Sequence, residues 1–317
     1  MEQTIKVLVA GGGGFIGSHL ASYLKDKGYF VRVVDIHFPQ IRKEWWSKAD
    51  EVVNLDMRDY VNVIKVTRDI DWVCWLCSDM GGVGYFSTHD YYPYLNNMTM
   101  DMNILKACEF NGVKRLFYSS SACIYPTHLQ QDPSKPLMLK EDMIFPANSD
   151  LMYGWEKLMM TMLCERSPLD ARVGIFHTIY GEGQEWDGER AKFPPSITRK
   201  VLEADKVVKL WGDGKQIRTY LFIDDAVEKI YRILTMPYSG PVNVGADEIT
   251  SVIDTAKLLC EIAGKECTFE FENDKPSGVL GRGVDNSEFI RRYGYHNQYS
   301  LRDGFTRMYA WLKGIVK

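Results

Sequence analysis

Ile5-Lys6-Val7-Leu8-Val9-Ala10-Gly11-Gly12-Gly13-Gly14-Phe15-Ile16-Gly17 is a β-rich apolar run that stops abruptly in four glycines. A stretch of helical periodicity, 16–27, follows and is closed by Gly28. Residues 31–36 then form a second apolar strand, with Asp35 at its end. Strand, glycine turn, helix and strand together open a doubly wound parallel sheet. Gly11, Gly14 and Gly17 fall in a GxxGxxG spacing, with Phe15 and Ile16 between the last two. At those positions backbone N–H groups and a helix N-terminus approach a pyrophosphate with no Cβ in the way. A lone glycine motif is weak; this one has the strand before it, the helix after it and an acidic residue on the next strand. Asp35 can accept hydrogen bonds from both adenosine ribose hydroxyls and repels a 2′-phosphate, so the expected cofactor is NAD and not NADP. Asp56, in Leu55-Asp56-Met57-Arg58-Asp59, reads equally as a partner for the adenine amino group or as an Asp that starts a loop.

The alternation continues outward. Strand-like runs at 51–55, 72–76, 115–119 and 172–176 are separated by helical patterns at 94–111 and 151–167. Strands spaced by helices imply a parallel sheet covered on both faces. Beyond residue 177 the elements shorten, and loops rich in Gly, Pro and charge appear at 181–192, 211–215 and 273–283. The expected class is therefore α/β: a Rossmann-type doubly wound parallel sheet with a smaller C-terminal substrate-binding α/β region. Residues 1–176 are assigned to NAD binding and 177–317 mainly to the substrate.

Composition narrows the function classes. A net charge of -4 over 317 residues offers no basic surface for nucleic acid or an anionic membrane, so an anionic substrate must be held by individually placed Arg and Lys. No run approaches the ~20 apolar residues of a membrane span, and the start of the chain has no signal-peptide pattern. Seven cysteines, an odd number spread over the whole length, suit a reduced cytoplasmic protein better than a disulfide framework. Cys74-Trp75-Leu76-Cys77 fits CxxC, but it lies in an apolar strand with no second ligand pair, so both are read as core cysteines and no metal is expected.

Tyr153-Gly154-Trp155-Glu156-Lys157 places Tyr153 and Lys157 one helical turn apart on one face. A nearby ammonium stabilises a phenolate, which makes Tyr153 a candidate general base. Y-x-x-x-K alone is common; behind this glycine turn, and downstream of Ser119-Ser120-Ser121, it becomes the expected catalytic pair.

That order of motifs resembles the extended short-chain dehydrogenase/reductase family of nucleotide-sugar enzymes, and within it the branch of GDP-mannose 3,5-epimerases. The segments that carry the likeness are Asp79-Met80-Gly81-Gly82-Val83-Gly84, Ser120-Ser121-Ala122-Cys123-Ile124-Tyr125-Pro126, Gly188-Glu189-Arg190-Ala191-Lys192 and Trp211-Gly212-Asp213-Gly214-Lys215-Gln216-Ile217-Arg218. The resemblance spans nearly the whole chain. It implies an isomerase that passes through a 4-keto sugar, with Tyr153 and Lys157 serving the C4 redox step and Ser121 bonding O4. It further implies that Cys123 and Lys192 move protons at C3 or C5, that Gly81, Gly82 and Val83 let backbone approach the hexose, and that Arg218 and Arg282 hold the diphosphate. Cys123 stands where related dehydratases carry a carboxylate, and a thiol can take and return a carbon-bound proton. Thr178 stands where the family usually has a substrate-contacting Asn, and Glu182 follows Tyr180-Gly181 in place of Pro, so a GDP-linked heptose or 6-deoxy sugar stays open beside mannose.

Two other kinds of protein share parts of this pattern. GDP-fucose synthases share the Ser-x-Cys-Ile-Tyr-Pro block but consume NADPH and pair the cysteine with a histidine, which Asp35 and Lys192 argue against. A non-catalytic NAD sensor would keep the glycine turn without needing Ser121, Cys123, Tyr153, Lys157 and Lys192 together. A homodimer through the 94–111 and 151–167 helices is the family habit, and Met98, Met102, Leu105, Met152, Met159 and Leu163 supply apolar side chains for it or for an ordinary core.

Overall fold

The computed structural model describes residues 4–276 and 278–316. Strands β1 (Lys6–Ala10), β2 (Phe30–Asp35), β3 (Glu51–Asn54), β4 (Trp72–Trp75) and β5 (Arg115–Ser121) alternate with α1 (Phe15–Asp26), α2 (Lys43–Trp46), α3 (Tyr60–Thr67), α4 (Val83–Phe86) and α5 (Tyr91–Asn111). A short β6 (Met138–Leu139), then α6 (Leu151–Arg166) and β7 (Asp170–Phe176), follow. The rest of the chain adds β8 (Thr178–Tyr180), α7 (Phe193–Glu203), β9 (Val207–Trp211), β10 (Ile217–Phe222), α8 (Ile223–Thr235) and β11 (Val242–Val244). It ends with β12 (Ile249–Ser251), α9 (Val252–Ala263), β13 (Thr268–Glu272), β14 (Gly283–Val284), α10 (Ser287–Tyr293) and α11 (Leu301–Lys313).

Seven strands form one sheet in the order β11-β7-β5-β4-β1-β2-β3, and every pairing is parallel. The period of two along β1 explains why both faces are covered. Val7 and Val9 enter a core with Leu20 and Leu24 of α1 and Ile230 and Ile233 of α8. Leu8 and Ala10 enter the opposite core with Val63 of α3, Ile104 of α5 and Met160 of α6. The chain runs outward from β1 through β2 and β3, then returns to the other side of β1 as β4. That reversal leaves a crevice at the C-terminal ends of β1 and β4, the place where open α/β sheets bind ligands.

The expected helix at 94–111 begins earlier, at Tyr91, because Pro93 fits a first helical turn, where its missing N–H costs nothing. The strand expected to stop at 119 continues to Ser121, which pairs with Phe176. The later half builds a three-stranded sheet, β12-β10-β8, whose Tyr180 and Tyr220 pack on Phe305 of α11. It also returns to the first sheet, where β11 pairs with β7 as its outermost strand. Buried Asn243 of β11 locks that return. Its side chain accepts from Tyr125 Oη at 2.8 Å, meets His177 Nε2 at 3.1 Å and donates to Leu139 O at 3.0 Å, while its N–H donates to Glu141 at 2.8 Å.

Candidate active site

The glycine turn is built so tightly that side chains have no room. A Cβ at Gly11, whose φ is +82°, would stand 2.8 Å from the Leu76 carbonyl carbon. One at Gly17 would lie 2.1 Å from Gly11 O, so this glycine lets α1 dock against the turn. Gly13, which the GxxGxxG frame passes over, is equally constrained: its Cβ would fall 2.0 Å from His37 O. Gly14 caps α1 without a side chain, leaving the first-turn N–H groups and the helix dipole to an anion. Asp35 braces the turn, accepting from Gly13 N at 3.0 Å and His37 N at 3.2 Å. Burial raises its pKa above the ordinary carboxylate value, against the pull of those backbone N–H groups. Asp56 pairs with Arg58 at 2.6 Å, and that guanidinium holds its carboxyl below the usual range.

At the end of β5, Ser121 Oγ accepts from Cys123 N at 3.2 Å and caps a single turn of 3-10 helix, Ala122–Ile124. The N-terminus of α6 clasps this turn. Asp150 N donates to Cys123 O at 2.9 Å, and Gly154 packs so close that a Cβ would meet that oxygen at 2.3 Å. One turn of α6 then brings Tyr153 beside Ser121 and stacks its ring on Phe86 at 4.9 Å. Lys157 Nζ lies 5.7 Å from the Tyr153 ring centroid and donates to Tyr118 Oη at 3.1 Å. Burial raises the Tyr153 pKa, and the Lys157 charge works against that rise. Burial also pulls Lys157 down, but the neighbouring carboxyl groups, Glu156 first, outweigh it and keep the group an ammonium.

Lys192 caps α7 and is followed by Phe193-Pro194-Pro195, where proline suits a helix start. Burial lowers its pKa, and the neighbouring Cys123 side chain opposes that fall. Its loop rests on the glycine pair after Asp79, where a Cβ at Gly82 would come within 2.8 Å of Ala191 O. Arg190 fastens the same contact, bonding Asp79 at 2.7 Å and Tyr85 Oη at 2.7 Å, with its guanidinium 4.1 Å over the Tyr85 ring. Arg218, on β10, donates to Val279 O at 2.6 Å; burial and then the like charge of Arg282 push it down to about 10. Arg282 donates to Cys123 Sγ at 3.7 Å and to Asp150 at 3.4 Å, and also bonds Gln130.

The residues expected from the sequence to form the site open onto one cavity of about 1350 Å³. Its wall includes Gly11, Gly14, Phe15, Ile16, Gly17, Asp35 and Asp56 at one end. Ser121, Cys123, Tyr153, Lys157 and Lys192 line it further on, with Gly81, Gly82, Val83, Thr178, Arg218 and Arg282. The volume exceeds that of a site for one drug-sized ligand and suits a dinucleotide together with a second substrate. Asp79 and Arg190 lie within the family-like blocks, but nothing in the sequence marks either with a role, and Tyr85, Asp101 and Glu156 carry no signal of their own. Cys74 is buried, whereas Cys77 is half-buried and reaches the cavity wall. Among the described residues, no group of three or more His, Cys, Asp or Glu is placed to hold a metal ion, and no helix is long and apolar enough to cross a membrane.

Residues 7–245 match the NAD dependent epimerase/dehydratase family, and the chain belongs to it. It is an enzyme of that family and a homologue of the GDP-mannose 3,5-epimerases. It is 35% identical to GDP-mannose 3,5-epimerase 1 of Oryza sativa subsp. indica, and 34% to the GDP-mannose 3,5-epimerase of Arabidopsis thaliana. Each alignment covers 100% of this chain and 84% of the relative. A putative GDP-L-fucose synthase of Arabidopsis thaliana is more distant, at 26% identity over 100% of this chain and 94% of its own. Among solved structures, UDP-glucose 4-epimerase of Thermotoga maritima with UDP-glucose superposes with a TM-score of 0.88 at 22% identity, covering 99% of this chain and 100% of that one. That likeness supports the Rossmann-type fold alone.

Proposed function

We propose that this protein epimerises a GDP-hexose at C3, C5 or both, with GDP-mannose the first substrate to test. The observation that carries the reading is the convergence of Cys123 and Lys192, from separate loops, beside the Ser121–Tyr153–Lys157 group in one cavity. The glycine cradle supports an NAD site: it excludes a Cβ at Gly11, Gly13 and Gly17, and Asp35 stands where a ribose diol is read. Gly11, Gly14, Phe15, Ile16, Gly17, Asp35, Asp56, Tyr153 and Lys157 would hold NAD, which when bound supplies reversible hydride transfer at C4.

The chain's own residues do the rest. Ser121 hydrogen-bonds O4, and Tyr153 takes the O4 proton, its phenolate favoured by Lys157. A C4 ketone acidifies the hydrogens on C3 and C5. Lys192, whose lowered pKa enlarges the neutral-amine fraction, takes or returns one of these protons, and Cys123 exchanges with it in the opposite role. Arg218 and Arg282, two guanidinium groups close enough to repel, gain from an anion between them, which is the place for the diphosphate. Gly81, Gly82, Val83 and Thr178 border the hexose.

GDP-mannose in D₂O, followed by NMR of the recovered sugar, tests the reading. Deuterium at C3 and C5 with gulose or galactose products, lost in Cys123→Ser, is expected. Absence of exchange in protein that retains NAD rejects this substrate. Free cysteines throughout suit a reducing compartment, and we place the enzyme in the cytoplasm. We also propose a homodimer through α5 and α6, which pack together and expose Tyr91, Leu95, Met102, Met152, Trp155 and Met159. Met159→Glu is expected to give a monomer by light scattering; an unchanged mass places the interface elsewhere.

A further inference from the structure

Behind Tyr153 and Lys157, three elements enclose a charged cluster: Asp101 from α5, Tyr118 from β5, and Glu156 with Lys157 from α6. None is more than 2% exposed. Two carboxylates with one ammonium would leave net negative charge in a dry space, which is costly.

The hydrogen bonds count the protons. The Tyr118 oxygen receives a hydrogen from Lys157 Nζ at 3.1 Å and stands 3.1 Å from Asp101 Oδ2 and 3.2 Å from Glu156 Oε1. A phenol has one hydrogen, so it donates to only one of those two carboxyl groups. Their outer oxygens are served separately: Trp75 Nε1 donates to Asp101 Oδ1 at 2.7 Å, and Asn97 Nδ2 donates to Glu156 Oε2 at 3.2 Å. The two carboxyls also lie within hydrogen-bond reach of each other. Both ionised, they repel; with one proton between them, the contact becomes a hydrogen bond.

Glu156 is the one in ionic contact with Lys157, at 3.3 Å, so the proton belongs on Asp101. Burial drives Asp101 well above the usual carboxylate range; Lys157 opposes this and Glu156 adds to it. Other titratable groups facing the cluster are Tyr153 and Cys164 from α6 and Cys77 after β4. Asp79 is linked to it through Asn97 and is itself neutralised by Arg190.

Resting on the roles proposed above for Tyr153 and Lys157, we propose that Asp101 is a positioning residue: it stays a neutral carboxylic acid, shares one proton with Glu156, and with it forms the counter-ion that fixes Lys157 beside Tyr153. Two of the three ammonium hydrogens are then committed to Tyr118 and Glu156, and the third serves the cavity that Lys157 lines.

Infrared difference spectroscopy of the NAD-loaded protein, without sugar, reads that proton directly. A carboxylic-acid C=O stretch is expected at about pH 8, moved by ¹³C-aspartate labelling and missing from Asp101→Asn. The band must also vanish in Glu156→Gln, where Asp101 becomes the sole counter-ion; a band that survives there overturns the sharing. Absence of any ¹³C-aspartate-sensitive acid band in the unaltered protein overturns the whole proposal, whether or not the variants fold. Because no turnover is needed, this outcome is separate from the choice of substrate. With an active sugar, Asp101→Asn keeps the acid limb of C4 oxidation where it was, while Asp101→Leu lowers kcat roughly tenfold or more with KM little changed. An acid limb displaced in Asp101→Asn means that Asp101 was ionised and refutes the assignment.

Discussion

Replacing Gly154 with alanine separates two parts of the chemistry that the fold holds in register. In a helix, alanine is favoured over glycine by about 1 kcal/mol, so propensity alone predicts a more stable protein. The packing reverses the sign. A Cβ at 154 would stand 2.3 Å from Cys123 O and 3.0 Å from its carbonyl carbon, so the oxygen must move by roughly 1 Å to reach ordinary contact. That oxygen also accepts the Asp150 N–H at 2.9 Å, and disturbing the bond forfeits about 1 kcal/mol. Forcing backbone apart in a packed site costs about 1–3 kcal/mol. The helix gain and the bond loss cancel, leaving a net loss of about 1–3 kcal/mol and a melting temperature lower by a few degrees. Cys123 rides on the displaced turn, whereas Tyr153 stays on the helix. A misplacement of about 1 Å costs on the order of 100-fold in a positioned reaction. Deuterium exchange at C3 and C5 should therefore fall about 100-fold, while sugar-dependent formation of reduced nicotinamide, followed by absorbance in a single turnover, falls less than about tenfold. A variant that melts no lower than its parent and exchanges at the parent rate would refute the reasoning.

Three further outcomes are expected. Burial holds the Lys192 pKa below its ordinary value, so at neutral pH the unfolded chain binds the proton more tightly than the folded one. Lys192→Met should raise the melting temperature at neutral pH, with an advantage that shrinks as pH rises through the depressed pKa toward the ordinary lysine value, and it should abolish exchange; a constant offset across pH contradicts this. Burial pulls His177 down to about 3 and His19 to about 4. Stability is then full above the unfolded value near 6.5 and declines on acidification, by up to about 1.4 kcal/mol per pH unit for each histidine; urea unfolding of His177→Gln should give a slope shallower than the parent's by up to about that amount between roughly pH 6 and 4. Asp35→Ala should weaken NAD binding by roughly 10–100-fold, as expected for lost charged hydrogen bonds, and narrow the preference over NADP; calorimetry giving unchanged NAD affinity would remove Asp35 from the ribose site.

Much of the molecule was legible because its constraints are local. Gly11, Gly14 and Gly17 are read from spacing, since each answers to a turn only a few residues wide, and Tyr153 and Lys157 from one turn of helix. Gly13 was missed because its reason, the His37 carbonyl at the end of the next strand, lies outside the motif. Arg190 and Asp79 sit in separate loops that meet only after folding, so no window over the sequence pairs them. Asp101, between Met100 and Met102, looks like a polar residue on a surface helix; its burial follows from where α6 and β5 place Glu156 and Tyr118. The return of β11 to the first sheet was invisible for the same reason. Val242, Asn243 and Val244 make a short strand that only the open edge of β7 explains.

That late strand sets a timetable for biosynthesis. While the ribosome has delivered only the first 176 residues, Gly174–Phe176 is an uncovered sheet edge, and such edges recruit other strands. Tyr125 and the Leu139 carbonyl meanwhile wait for the amide of Asn243. The first 176 residues thus depend on contacts of long sequence separation, which form slowly. A nascent chain of this protein needs shelter until β11 emerges, and a fragment cut after Phe176 should collect in inclusion bodies, not in the soluble fraction.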